Sequence, residues 1–374
     1  MFFYTPLQRY AIYTFKNFLF YFFLITICII PLTADSTSGV SEVDCKNINS
    51  NLKGTGTGEV FVTIENNTSD SLSLYWLNKG KQTLYATIQP NVTITQQTYA
   101  GHFWVLQKDD VCQIAFMAKS KTGNITIGKK VDYFTLPRTT KVVTIPEGFG
   151  FHEFYKKYIN TSGIPILSPG ETPDRALEKA AEVVAAMTKD IPAAKKALIQ
   201  YKIKVVIMSE SQELLDIPEY VGMQEDFPDT NWNVRARGGM GPNLKRPVTS
   251  AREGNLLCYK SDPYLGESIL VHEFGHAVML GLILSDPKFE SRIESAYQNS
   301  LKKKLWENTY AAETTAEYWA EGVQDWFDTN LTSIPSNGVH NHIHTREQIK
   351  KQDPVLSGIL QSVFGDNTWR FKCD

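Results

Sequence analysis

One pentapeptide in this chain of 374 residues carries chemistry in its spacing: His272-Glu273-Phe274-Gly275-His276. On a helix, positions i and i+4 share a face, so both imidazoles can reach one ion while Glu273 faces a water bound to it. The flanks predict that helix, over residues 267–284. Ile269, Leu270 and Val271 precede the histidines, and Ala277, Val278, Met279 and Leu280 follow them. Apolar flanks also suit a metal site, because a dry surround strengthens the electrostatic interactions within it. The metal expected of two histidines and a neighbouring glutamate is zinc, which in catalytic sites takes a third protein ligand and keeps one position open for water. The competing reading is two histidines placed by chance on a buried helix.

The third ligand has candidates downstream, in the stretch from Tyr310 to Glu321. At helical spacing Tyr310, Glu313, Glu317 and Glu321 fall on or near one face. Such a set of carboxylates is costly to bury unless positive charge sits opposite, and zinc would supply it. Glu321 and Asp325 repeat the four-residue spacing. Spacing therefore leaves the ligand open between Glu317 and Glu321.

The stretch from Val271 to Phe327 resembles the catalytic core of the gluzincin peptidases, anthrax lethal factor among them. The shared features are an H-E-F-G-H-A-V helix, then a tyrosine seven residues before a glutamate in an A-E-aromatic-aromatic-A-E helix. The resemblance implies that Tyr310 is the active-site tyrosine, Glu317 the third zinc ligand and Glu321 an outer carboxylate that orients a histidine. It implies peptide-bond hydrolysis by a zinc-activated water, with Glu273 as general base and Tyr310 stabilising the oxyanion or donating a proton.

The elements that must position these residues divide the chain in two. From Glu59 to about Ile145, short runs alternate apolar and polar residues, as in Val60-Phe61-Val62-Thr63-Ile64, between turn signals such as Asn78-Lys79-Gly80. That pattern predicts an antiparallel β-sandwich over residues 35–148. After Gly148 an alanine-rich helical stretch, split at Pro192, leads to a strand over residues 202–208. Helices are then expected over 267–284, 287–306 and 311–328, the second capped by Asp286 with Pro287 at its first position. Residues 149–374 therefore read as an α+β, zincin-like metallopeptidase domain. The extended segment from Val248 to Tyr259 is a candidate edge strand for a peptide substrate. Gly238-Gly239-Met240-Gly241 lacks the lysine of a phosphate loop and reads as a flexible turn. His340, His342 and His344 read as a surface loop.

Residues Val60 to Thr126 resemble the β-domain of the von Hippel–Lindau tumour suppressor, most clearly in Tyr75-Trp76-Leu77-Asn78 and in the run from Thr98 to Trp104. The resemblance implies a pocket for a hydroxyproline side chain built from Trp76, Tyr85, Thr98, His102 and Trp104. Threonine at 98 replaces a serine and keeps the hydroxyl. The helical region that would recruit a ubiquitin-ligase adaptor is replaced by the peptidase-like segment, so no such adaptor is expected.

Residues 1–34 carry Arg9 and Lys16, an apolar run from Phe18 to Ile30, Pro31 and Ala34, the pattern of a secretory signal peptide. The membrane enters only if that segment is kept as an anchor. Cys45, Cys112, Cys258 and Cys373 remain beyond it. If each domain closes its own bridge, Cys45 pairs with Cys112 and Cys258 with Cys373. N-x-[ST] tripeptides at Asn66, Asn67, Asn91, Asn124, Asn160 and Asn330 suggest glycosylation of an exported protein. A net charge of −2 argues against a nucleic-acid partner. The expected function is a secreted zinc endopeptidase acting on polypeptides, prolyl-hydroxylated extracellular chains among them. The alternative is a non-catalytic extracellular binding protein with a structural or degenerate zinc site.

Overall fold

The computed structural model describes residues 34–373 apart from 37–38, 49–51, 53–55, 57, 69, 91, 120–121, 129–131, 146–148 and 221. The expected leader falls outside the described residues except for Ala34, which opens a short strand. Among the described residues no helix is long and apolar enough to cross a membrane.

Alternation dictates the N-terminal layers. In Glu59–Asn66 every second residue is buried, and Val60, Val62 and Ile64 point into one core. This strand pairs antiparallel with Thr93–Tyr99 and parallel with Thr122–Ile127, whose outer neighbour is Ala34–Ser36. A second sheet runs Val40–Val43, Val111–Ala118, Phe103–Lys108, Leu72–Asn78 and Lys81–Ile88. Leu74, Leu106 and Phe116 from this sheet meet Val62 and Ile64 from the first, so burial on facing sheets closes one apolar layer. Cys45 and Cys112 are bonded, tying the turn Cys45–Asn47 to the strand Val111–Ala118.

The C-terminal region is mainly helical around a six-stranded sheet. Its strand order is Val143–Thr144, Lys157–Ile159, Ile166–Ser168, Lys204–Met208, Val248–Arg252 and Gly239–Met240. The sheet thus takes its first strand from ahead of residue 148. Lys204–Met208 is wholly buried, as expected of a parallel strand covered on both faces. The segment from Val248 is not the edge. Val248–Arg252 lies between Lys204–Met208 and Gly239–Met240, and residues 253–256 turn into helix. The edge belongs to the glycine segment read as a turn.

Helices Asp174–Thr188 and Pro192–Gln200 part at Pro192, which has no N–H to continue the first. Helix Ile269–Ser285 packs its Phe274 and Val278 into a core shared with Val184, Leu198, Ile207, Trp319 and Phe364. The next helix begins at Phe289, two residues later than Pro287, with Asp286 capping the preceding turn through the Lys288 N–H. Cys258 and Cys373 are bonded and close this region. Two bridges are what an oxidising compartment permits.

Burial corrects several expected glycan sites. Asn66 gives its amide N–H groups to the carbonyls of Asp70, Ile88 and Gln89, and Asn160 gives one to Tyr158 Oη. Asn330 donates to Glu321 and Asp325, and Asn67 is buried as well. An acceptor nitrogen enclosed in this way has no room for a sugar. Asn124 is exposed, and Asn91 lies outside the described residues.

Candidate metal centre

The helix carrying the histidines starts where side chains hold it. Ser268 caps it through the Val271 N–H, and the side-chain oxygen Oδ1 of Asn255 takes the Ile269 N–H. The Asn255 amide donates to the carbonyls of Tyr264 and Glu267, fixing the approach. Helix Thr315–Trp326 crosses behind it and is capped by Thr314. Trp319 Nε1 donates to the Gly275 carbonyl at 2.8 Å, which locks the two helices in register.

That register brings three side chains together. Glu317 Oε2 lies 3.0 Å from His272 Nε2 and 3.3 Å from His276 Nε2, and the two ring nitrogens are 3.3 Å apart. Among the described residues these are the group able to share one metal ion. Zinc bonds of ~2.0–2.1 Å in a tetrahedron set neighbouring donor atoms ~3.3–3.4 Å apart, so the donor types and their separations fit that ion. Glu321 is not part of the triad. Its Oε1 lies 3.3 Å from His272 Nδ1, on the far side of the ring, and its Oε2 accepts from Asn330.

Burial would raise Glu317, but its bonds to His272 and His276 hold it well below the usual carboxylate range. Burial would lower His272, and Glu317 and Glu321 outweigh it and push the ring well above its ordinary value. Each shift favours the charged form of a group that faces opposite charge. Glu273 differs: burial raises it, the two histidines oppose this only in part, and the Gly241 N–H reaches its carboxylate. Tyr310 donates to Glu317 Oε1 at 3.1 Å, and its ring stacks beside His272 with centroids 6.1 Å apart. Burial, then Glu317, raises its phenol and keeps it protonated.

These residues line a cleft of about 620 Å³. Met279, Leu280 and Ile283, one turn and more beyond His276, make an apolar wall. Glu267, Glu321 and His340 make a polar one, in which burial and then Glu321 push the Glu267 carboxyl up to about 7. The edge strand Gly239–Met240 forms the rim.

Several of these residues escaped the sequence. His340 is no surface residue. Its side chain is 10% exposed, because Val339 accepts the Tyr310 N–H and Ser336 bonds to the Asn308 carbonyl, drawing the loop over the cleft. Nothing in the sequence singles out Gln324, although Glu317, Glu321 and Gln324 stand at i, i+4 and i+7 on one helix face. Gly239 and Gly241 hide their role because it lies in what a side chain would strike.

The N-terminal cluster also assembles. Trp76 stands 5.2 Å from His102 and 6.4 Å from Tyr85, and Tyr85 is 5.0 Å from Trp104, all between ring centroids. Trp104 Nε1 donates to Thr98 Oγ1 at 2.9 Å, and that hydroxyl is 3.4 Å from His102 Nδ1. Tyr85 is 53% exposed while Trp104 is 2%, so the group opens outward from a buried base.

No family model matches the chain, and no curated protein matches it. Among solved structures it is similar to the Pro-Pro endopeptidase of Paenibacillus alvei, at 16% identity and a TM-score of 0.32, over 53% of this chain and 96% of that one. A likeness of that extent fixes neither fold nor activity, which leaves the chemistry to the residues of the site.

Proposed function

We propose that the protein is a secreted, zinc-dependent endopeptidase of the gluzincin type with a zincin-like catalytic region. The observation that carries this reading is the convergence of His272, His276 and Glu317 at tetrahedral separations beside Glu273 and Tyr310, at the floor of an open cleft. His272, His276 and Glu317 would hold the zinc, which when bound supplies a Lewis acid and a water of lowered pKa.

The protein's own groups do the remaining work. Glu273 is the general base. Its raised basicity suits it to take a proton and return it to the leaving amine. Tyr310 keeps its proton and can turn its hydroxyl from Glu317 to a developing oxyanion. The rim strand Gly239–Met240 offers the backbone edge along which an extended peptide would lie. The cluster of Trp76, Tyr85, Thr98, His102 and Trp104 would recruit prolyl-hydroxylated extracellular chains. The two disulfides agree with a secreted location.

The test is metal content together with cleavage of a mixed peptide library, with and without a chelator. One zinc per chain and cleavage that stops on chelation are expected. A protein that binds no zinc, or cleaves as well without it, overturns the reading.

A further inference from the structure

His272 has a second nitrogen, and what holds it decides how the ring presents Nε2 to the metal position. Two oxygens are in reach of Nδ1: Gln324 Oε1 at 2.8 Å and Glu321 Oε1 at 3.3 Å. The sequence resemblance assigns the role to Glu321. We propose instead that Gln324 is the positioning residue of His272, with Glu321 left mainly to balance charge. The inference rests on the proposed metal site and concerns how this chain holds it.

Distance is the first argument, since 2.8 Å is a full hydrogen bond and 3.3 Å is at the margin of one. The surroundings of each acceptor supply the second. Gln324 is wholly buried, and its amide cannot turn over without loss. Its Nε2 faces two acceptors, the Ser268 carbonyl at 3.3 Å and Glu267 Oε2 at 3.4 Å. Those contacts leave Oε1, which can only accept, pointing at His272. Nδ1 must then carry a proton, and with zinc bound Nε2 would be the lone-pair nitrogen turned to the metal position. Glu321 is drawn the other way, because its Oε2 is held by Asn330 Nδ2 at 3.0 Å.

The choice of acceptor has a chemical consequence. A carboxylate partner makes a ligating imidazole more basic, whereas a neutral amide fixes the same tautomer without adding charge. Gln324 also joins the metal helix to the cleft. One side chain bonds His272, the Ser268 carbonyl at the helix start, and Glu267 on the polar wall. A shift of this amide would move the ring and the wall together.

The experiment compares Q324M with E321Q in the full chain, reading zinc affinity by chelator competition and the visible spectrum of the cobalt-loaded protein. Methionine keeps the length and removes the acceptor. Q324M should lose ~10–100-fold in zinc affinity, the range of lost outer support, and alter the cobalt spectrum, with E321Q milder in both. The reverse order overturns the assignment. If Q324M does not fold, the His272 Nδ1–H proton resonance decides between wild type and E321Q. An unchanged downfield signal supports Gln324, and its loss or a large upfield move overturns it. Wild-type protein that binds no zinc would instead sink the metal reading itself, which separates the two failures.

Discussion

A Cβ built on Gly241 would lie 2.6 Å from the Cβ of His276, closer than side chains in proteins approach. The rim strand thus passes against the metal helix at a distance only glycine permits. Gly239 is held in the same way, with its missing Cβ 2.2 Å from the Ser250 carbonyl oxygen. The obstacle at Gly241 is the root of a side chain anchored on a packed helix, so it cannot swing aside.

Gly241→Ala should therefore push the rim away from His276 and disturb Glu273, whose Cγ lies 3.1 Å from where a Cβ on Gly239 would stand. Misplacement of about 1 Å at a reacting centre can cost ~10²-fold in rate. A fall of that order in kcat/KM is expected, with circular dichroism unchanged. Wild-type turnover in the variant would show that the close approach does not matter.

Glu273→Gln should keep zinc and lose turnover. Glutamine preserves the shape but cannot take a proton. General-base catalysis contributes ~10²–10⁴-fold, which sets the expected loss. Metal analysis and peptide cleavage on one preparation check it, and undiminished cleavage would remove Glu273 from the reaction.

Glu317→Ala should weaken zinc binding more than Glu321→Ala. Glu317 Oε2 is within 3.0 and 3.3 Å of the two histidine nitrogens, whereas Glu321 touches only the back of one ring. Zinc affinity in the two variants decides it, and the opposite order would move the ligand to Glu321.

The parts of this site legible in sequence are those set by local geometry. His272, Glu273 and His276 lie within two turns of one helix, whereas spacing left the third ligand open between Glu317 and Glu321 and only the resemblance chose Glu317. Alternation likewise marks the strands around Val62 and Leu74, since one buried face forces period two. What escaped depends on distant segments. His340 is drawn inward by a carbonyl that Tyr310 happens to need, and nothing near residue 340 signals it. The segment from Val248 to Tyr259 reads as an edge because pattern shows a strand but not its neighbours. Gln324 reads as an ordinary polar residue until helix Ile269–Ser285 is laid across it.

A buried ion pair gives a prediction for stability. Lys204 is 4% exposed and bonds Glu219 at 2.6 Å, with Tyr155 donating to the same carboxylate. Burial would raise Glu219, but Lys204 outweighs it and holds the carboxyl below 4.5. Folding thus favours the charged form. This stability is in place above pH ~4.5 and fades as pH falls through the lowered folded value. Glu219→Gln leaves Lys204 buried without its counter-charge and should cost ~3–5 kcal/mol. Urea unfolding at pH 7 and pH 4 tests both, and a loss below about 1 kcal/mol at pH 7 would mean the pair is not sequestered.

The N-terminal cluster should distinguish 4-hydroxyproline from proline. Trp76, Tyr85 and Trp104 can wall a pyrrolidine ring, and the exposed Tyr85 leaves a way in. At the base the Thr98 hydroxyl already accepts from Trp104, so it is oriented to give its proton toward His102 or a ligand hydroxyl. Burial lowers the His102 pKa, which keeps the ring neutral at pH 7 and able to pair with a hydroxyl both as donor and as acceptor. A proline without the hydroxyl would leave buried polar groups unpaired, at a cost of ~1–3 kcal/mol, or roughly five- to more than a hundredfold in Kd. Full-length Glu273→Gln protein, which cannot consume the ligand, should bind collagen-like peptides carrying 4-hydroxyproline more tightly than matched proline peptides by that margin. His102→Ala should abolish the difference. Wild-type preference should also weaken as pH falls through the lowered His102 value, which lies beneath the ordinary imidazole value of 6.5, and the ring takes a proton. Equal affinity for the two peptides at pH 7 would reduce the cluster to an outward-facing part of the sheet, since nothing about the metal centre depends on it.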